Sequence, residues 1–190
     1  EVCGITHDSR KVKEGYLFVA IRGYKVDGHD YVIRAIEKGA TALVVDKKIE
    51  TVSSIPQIVV PDTRYALAAM SSRFYGEPST QMTVVGVTGT NGKTTTSYFT
   101  KSIIEASGSE AGLIGTIQYQ IGKMVIPAQE TTPESVEIQR YLAEMLKSGI
   151  KYAVIEASSH ALSQHRVEGV RFSSAIFTNL SVEHLDYHAN

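Results

Sequence analysis

Apolar residues recur along this chain in short runs and in helical stripes. Leu17-Phe18-Val19-Ala20-Ile21 is a continuous apolar run and predicts a buried strand. Residues 28–38 predict a helix with Val32, Ala35 and Ile36 on one face and Gly39 as its stop. Strands are expected at 41–45 and 57–60. Asp62 is placed to cap a helix carrying Leu67, Met70 and Phe74 at i, i+3 and i+7, ended by Gly76 and Pro78. Gly76-Glu77-Pro78-Ser79-Thr80 has the composition of a linker. Residues 1–79 and 80–190 are therefore expected to be separate domains.

The second half repeats the alternation. A strand at 82–88 enters a glycine-rich turn, and a helix at 94–106 leaves it with Phe99, Ile103 and Ala106 on one face. A strand follows at 111–116. Residues 117–121 and 124–126, around Gly122-Lys123, predict a hairpin. Pro133 suits the first position of a helix after Thr132. Ile138, Tyr141, Leu142 and Met145 then follow at helical spacing until Gly149. Strands at 151–156 and 174–179 close the pattern. Such alternation predicts an α/β protein: a small N-terminal α/β domain, then a mostly parallel sheet with helices on both faces.

Val84-Val85-Gly86-Val87-Thr88-Gly89-Thr90-Asn91-Gly92-Lys93-Thr94-Thr95 carries the clearest chemistry. Glycines let backbone N–H groups crowd around an anion, and a helix N-terminus adds a favourable dipole. Lys93 can supply charge to the β- and γ-phosphates, and the Thr94 hydroxyl can ligate Mg²⁺. Thr88, Gly89, Thr90, Asn91, Gly92 and Thr95 complete the candidate nucleotide loop. The strict pattern G-x-x-x-x-G-K-[ST] fails here, because Val87 stands at its first position. An ordinary glycine-rich turn would explain Gly89 and Gly92 but not the Lys-Thr-Thr-Thr that follows.

Bulk composition narrows the field. The net charge of −1 over 190 residues gives no basic surface for nucleic acid, so an anionic ligand must be held locally. A single Cys3 excludes an internal disulfide and fits a reducing compartment, hence the cytoplasm. No apolar run approaches the roughly 18 residues of a membrane span. The chain begins at Glu1 and stops at Asn190 straight after a motif, and is expected to be a piece of a longer protein.

Further candidates sit where strands end. Tyr152-Ala153-Val154-Ile155-Glu156 is an apolar strand closing on a carboxylate, the place for an acid that holds Mg²⁺. The plainer alternative is a glutamate capping a helix. Ser158, Ser159 and His160 follow at once. His184, Asp186 and His188 after the 174–179 strand suggest metal or phosphate contact, although nothing in the cysteine or histidine spacing supports zinc. Thr131-Thr132-Pro133-Glu134 reads as a helix start, Gln164-His165-Arg166 as surface unless an anion is held nearby, and Asp8-Ser9-Arg10 as a turn.

Taken in order, these segments resemble the Mur ligases, and among them the MurE type. The matching pieces are Asp8-Ser9-Arg10 with Leu17-Phe18-Val19-Ala20, Asp27-Gly28-His29-Asp30-Tyr31, the 88–96 loop, Thr131-Thr132-Pro133-Glu134, Glu156-Ala157-Ser158-Ser159-His160, Gln164-His165-Arg166-Val167, and 178–188. The family's compact T-G-T-N-G-K-[ST] loop accounts for Val87. The resemblance implies an ATP-dependent ligase that adds the third amino acid, meso-diaminopimelate or L-lysine, to UDP-N-acetylmuramoyl-L-alanyl-D-glutamate through an acyl phosphate. It implies that Lys93 binds phosphate, that Thr94 and Glu156 serve Mg²⁺, and that His184 ligates a second metal. Thr131, Thr132, Ser158, Gln164 and Arg166 would contact the UDP-muramoyl dipeptide, with Ser9 and Tyr24-Lys25-Val26 on its uridine-diphosphate side. The family's carbamylated lysine and its C-terminal, amino-acid-binding domain would lie beyond Asn190, leaving this piece inactive alone. Another ligase sharing the loop, of the MurF or folylpolyglutamate-synthase kind, stays open, as does a non-catalytic nucleotide-binding module. A GTPase would need an N-K-x-D string, which is absent.

Overall fold

The computed structural model describes residues 2–23, 26–52 and 54–182. The chain divides into two compact units, Glu1–Phe74 and Tyr75–Asn190.

In the first unit, β1 (Gly4–Thr6), β2 (Tyr16–Val19), β3 (Ala40–Val45) and β4 (Gln57–Val59) pair side by side in chain order, all parallel. Parallel neighbours need crossovers that cover the sheet. α1 (Val32–Glu37) packs on β3, and α2 (Thr63–Phe74) packs on β1 and β3. Phe18, Val32, Ala35, Leu43 and Val45 form the core. The expected 28–38 helix is divided: residues Gly28–Tyr31 form a 3₁₀ turn before α1, with the Asp27 carboxylate accepting from the His29 N–H at 2.9 Å. The expected face of α2 is also displaced. Leu67 is buried, but Met70 is only half-buried and Phe74 is exposed. The buried stripe is Thr63, Ala66, Leu67 and Ser71. Small side chains make that contact, so the spacing of the large ones misdirects the expectation. β1 was not expected, since three residues are too few to show a period.

The second unit has one six-stranded sheet in the order β10-β5-β9-β6-β7-β8. Its strands are β5 (Thr83–Thr88), β6 (Ala111–Ile114), β7 (Gln118–Ile121), β8 (Met124–Pro127), β9 (Tyr152–Glu156) and β10 (Ser174–Phe177). β10, β5, β9 and β6 run parallel, and β7–β8 is the expected antiparallel hairpin. Side chains alternate across β9. Ala153 and Ile155 join Ile138, Leu142 and Met145 of α4 (Ser135–Lys147), whereas Val154 joins Val87 and Leu113 beside α3 (Lys93–Ala106). Glu156, two residues on, continues the Val154 side.

Two expectations fail here. Phe99 and Ile103 do lie on one helical face, but it points outward, with 66% and 70% of their surfaces exposed. Ser97, Tyr98 and Ile104 turn inward instead. α4 starts at Ser135 with Glu134 as its N-cap, so Pro133 lies before the helix rather than inside it. The sheet's two edges differ. β8 is preceded by exposed Lys123 and ends at Pro127, while β10 presents exposed Ala175 and Phe177, with exposed Leu180 and Val182 beyond.

Candidate functional site

The parallel strands β5, β6, β9 and β10 deliver their C-terminal ends to one edge of the sheet, where ligands of open α/β folds bind. At the end of β5 the chain turns directly into α3. Val87 is fully buried and its carbonyl accepts from the Ala157 N–H at 2.9 Å, so it belongs to the strand. That is why the strict loop pattern breaks at this position. The first helical bond runs from the Thr96 N–H to the Gly92 carbonyl. The N–H groups of Lys93, Thr94 and Thr95 precede it and face the open end of the helix.

Residues after β10 brace the loop. The Thr178 N–H donates to the Thr88 carbonyl at 2.9 Å, and the Thr178 hydroxyl donates to the Asn91 carbonyl at 2.7 Å. Asn179 accepts from the Asn91 N–H at 3.0 Å and donates back to its carbonyl at 2.9 Å. The Thr90 N–H reaches the Asn179 carbonyl. Gly89 has φ +128°, and a Cβ there would lie 2.2 Å from Thr178 Oγ1, so only glycine fits. Lys93 bends back over the loop, its ammonium donating to the carbonyls of Gly89 (2.6 Å) and Thr90 (2.8 Å).

Facing this helix end is Glu156, with no exposed surface. Its Oε2 accepts from the Thr94 hydroxyl at 3.0 Å and the Thr116 hydroxyl at 2.9 Å; its Oε1 accepts from the Thr116 N–H at 3.2 Å. The capping alternative is therefore set aside: Glu156 looks toward the 88–95 loop. Gly115 lets it sit there, since a Cβ on residue 115 would lie 2.2 Å from Oε1. Thr116 Oγ1 also lies 3.2 Å from both Thr94 Oγ1 and Thr131 Oγ1. Thr116 is not among the site residues expected from the sequence. Its signal was a Gly-Thr pair just beyond a short apolar strand, at the same edge as the loop.

The Thr94 hydroxyl and the Glu156 carboxylate are hard oxygen donors, the kind Mg²⁺ takes while keeping phosphate and water in the rest of its shell. Among the described residues no cluster of three or more His, Cys, Asp or Glu could hold a metal. The chain's contribution there is thus a pair of oxygens beside the 88–95 loop. His184, with Asp186 and His188, lies outside the described residues.

A second group adjoins Glu156. The Thr132 hydroxyl donates to the Glu156 carbonyl at 2.6 Å and accepts from the Ser158 N–H at 3.1 Å. Ser158 Oγ caps α5 (Ser159–Ser163), an element not expected, by accepting from the Ala161 N–H. Arg166 is not surface decoration, as only 14% of its side chain is exposed. It donates to Gln164 Oε1 at 3.1 and 2.9 Å and to the Thr132 carbonyl at 2.8 Å, and pairs with Glu130 and Glu134. Thr131, Thr132, Ser158, Gln164 and Arg166 thus come together beside the acid. The Tyr119 hydroxyl, donating to the Glu130 carbonyl at 2.7 Å, holds the segment that carries them.

In the first unit Ser9 is buried next to the Asp8–Arg10 pair, whose guanidinium keeps the Asp8 carboxyl below its ordinary value. Of the suggested uridine-side segment, Tyr24 and Lys25 lie outside the described residues. Its flanks are fixed: the Gly23 N–H meets the Val26 carbonyl at 2.9 Å, and His29 bridges Asp27 (2.6 Å) and the Asp46 N–H (3.3 Å).

Comparison with known proteins agrees with this layout. Residues 87–190 match the Mur ligase middle domain, and residues 1–75 match the Mur ligase family, catalytic domain. A UDP-N-acetylmuramoyl-L-alanyl-D-glutamate–2,6-diaminopimelate ligase of Caldanaerobacter subterraneus subsp. tengcongensis is 47% identical over 99% of this chain and 39% of its own length. The enzyme of the same name from Clostridium botulinum is 48% identical over 99% of this chain and 40% of its own length. The chain therefore spans about two fifths of these curated relatives. A solved structure of a ligase with that name superposes with a TM-score of 0.86 at 30% identity, over 98% of this chain and 38% of the other. MurF ligase from Thermotoga maritima in complex with ADP shares the fold, with a TM-score of 0.61 at 24% identity over 96% of this chain and 39% of its own.

Proposed function

Because the chain belongs to the Mur ligase family, we propose that it is the nucleotide-binding part of an ATP-dependent ligase that joins an amino acid to UDP-N-acetylmuramoyl-L-alanyl-D-glutamate in peptidoglycan precursor synthesis. The names of the curated relatives favour 2,6-diaminopimelate as that amino acid. The observation that carries the reading is the meeting of Thr94 and Glu156 at the mouth of the phosphate loop, with Thr131, Thr132 and Arg166 adjoining. It supports a reading in which ATP and an anionic acceptor bind side by side.

In this reading a carboxylate oxygen of the dipeptide's glutamate attacks the γ-phosphorus of ATP, the bond to the β-phosphate breaks, and an acyl phosphate and ADP form. The amine of the incoming amino acid attacks that carbonyl, and inorganic phosphate leaves. ATP and a carboxylate repel each other, and the main task is to offset that repulsion. Lys93 and the N–H groups of 93–95 bind the phosphates. Thr94 and Glu156 would hold Mg²⁺, which when bound would neutralise charge on the transferring group, and His184 would serve a second ion. Arg166, supported by Gln164, and the hydroxyls of Thr131, Thr132 and Ser158 orient the dipeptide end. Ser9 and the 24–26 segment bind the uridine diphosphate. No enzyme nucleophile is required, so Cys3 and Ser158 stay out of the covalent chemistry. We place the protein in the cytoplasm.

The test is ADP release by the full-length protein with ATP, Mg²⁺, the UDP-muramoyl dipeptide and diaminopimelate. Release that requires both acceptors, and that Lys93→Ala abolishes with loss of ATP binding by calorimetry, supports the reading. ATP binding with no affinity for the UDP-muramoyl dipeptide would instead identify a nucleotide-binding module without this activity.

A further inference from the structure

Three hydroxyls and one carboxylate form a continuous string across the site. Thr94 Oγ1 and Thr116 Oγ1 both contact Glu156 Oε2, and Thr116 Oγ1 also contacts Thr94 Oγ1 and Thr131 Oγ1. Thr94 belongs to the phosphate loop and Thr131 to the segment tied to Arg166 through Thr132. We propose that Thr116 is a positioning residue that couples the metal–nucleotide end of the site to the muramoyl-dipeptide end. This rests on the ligase reading above.

The coupling follows from a count of protons. An ionised carboxylate only accepts, and each threonine hydroxyl carries one proton. Thr116 has three oxygens within 3.2 Å and can donate to one of them. Glu156 Oε2 is the nearest of these at 2.9 Å and the charged one, so it takes the proton. The remaining lone pairs of Thr116 then accept, and Thr131 points its own proton inward, to Thr116. When Oε2 and Thr94 are engaged by a divalent cation, Oε2 has less capacity for two hydroxyl donors. Thr131 becomes the open acceptor for the Thr116 proton. Thr131 then points its proton away from Thr116, toward an acceptor oxygen on the dipeptide.

The carboxylate cannot carry the message by swinging. Its Oε1 is pinned by the Thr116 N–H, and the flank is filled by the Gly115 backbone, where even one added carbon would lie 2.2 Å away. What remains free to change is the direction of the hydroxyls. Coupling of this kind is reciprocal: cation binding must tighten the dipeptide by the same factor as the dipeptide tightens the cation.

The experiment measures Mn²⁺ affinity of the full-length protein by electron paramagnetic resonance of free Mn²⁺. A non-hydrolysable ATP analogue is present, and titrations are run with and without saturating UDP-muramoyl dipeptide. Wild type should bind Mn²⁺ about 10-fold more tightly with the dipeptide, within the usual range of coupling. Thr116→Val keeps the backbone N–H and the side-chain shape but removes the hydroxyl, and should bring that ratio to one. Thr116→Ser should restore it. Should Thr116→Val lose its far-UV circular dichroism, Thr131→Val carries the same expectation from the other end of the string. A valine variant with the wild-type ratio overturns the coupling and leaves the ligase reading intact. Absence of dipeptide binding to wild type, checked by calorimetry, overturns both.

Discussion

Thr94 Oγ1 lies 3.0 Å from Glu156 Oε2, although 62 residues separate them in sequence. One stands in the first turn of a helix and the other at the last position of a strand. A parallel sheet brings such positions to a common edge, and the alternation of β9 decides that residue 156, like 154, faces α3. A shift of one residue in that strand would bury the acid against α4 instead.

Glu156→Gln preserves the shape of this contact and removes its charge. The amide oxygen can still accept from the Thr116 N–H, and the hydroxyls can turn to accept from the amide nitrogen. The melting temperature should move by only a few degrees, on the order of 1 kcal/mol. Mg²⁺-dependent ADP release should fall by about 10² or more, the scale seen when a charge-stabilising group is lost. Equal losses in stability and rate would mean that Glu156 is a structural acid.

Gly115→Ala should act on the same carboxylate from outside. Residue 115 is not in the left-handed region, so alanine meets no backbone strain there. Its methyl group would instead collide with Glu156 Oε1. Overpacking of this sort costs about 1–3 kcal/mol, and thermal denaturation would read it. The half-saturating Mg²⁺ concentration should rise together with it. A variant with unchanged stability and unchanged Mg²⁺ dependence would show that the carboxylate has room to move.

Tyr119 gives the second unit an alkaline limit. Burial pushes its phenol above the ordinary value of 10.0, against the smaller effect of its bond to the Glu130 backbone. The fold therefore favours the neutral phenol. The resulting stability is complete below the ordinary value and is lost as pH rises through the higher, folded one. Tyr119→Phe should cost about 1 kcal/mol near neutrality, the worth of one hydrogen bond. It should also flatten this part of the decline in melting temperature above pH 10. An unchanged alkaline decline would assign it to other groups.

Arg166→Lys separates charge from geometry. Lysine keeps the positive charge but cannot bridge Gln164 and the Thr132 carbonyl with a planar fork. Loss of one charged hydrogen bond is worth about 1.5–3 kcal/mol, so KM for the UDP-muramoyl dipeptide should rise by roughly tenfold or more while KM for ATP holds. A rise in the ATP constant alone would remove Arg166 from the acceptor side.

Much of this arrangement was legible in the chain. The strands at β3, β5 and β9 are built mostly of apolar residues, and α4 shows its buried face in the spacing of Ile138, Tyr141, Leu142 and Met145. Lys93, Thr94 and Glu156 could be picked out because each stands where a strand or loop gives way at the ligand edge. Thr116 could not, because threonines are common and its importance comes from what β9 sets opposite it. Phe99 and Ile103 misled in another way. Periodicity shows that residues share a face but not which way the face points, and here Ser97 and Tyr98 took the inner side. Phe74 failed for the related reason that α2 meets its sheet through small residues.

The unequal edges of the larger sheet bear on how the polypeptide behaves in concentrated solution. On one side, Lys123 and Pro127 frame the outer strand of a hairpin, and both discourage a further strand from adding. On the other side, among the described residues, β10 is parallel, uncharged and flanked by exposed Phe177, Leu180 and Val182. Of the two edges among the described residues, β10 is the one open to a further strand, and Ala175→Lys would close it without touching the ligand edge.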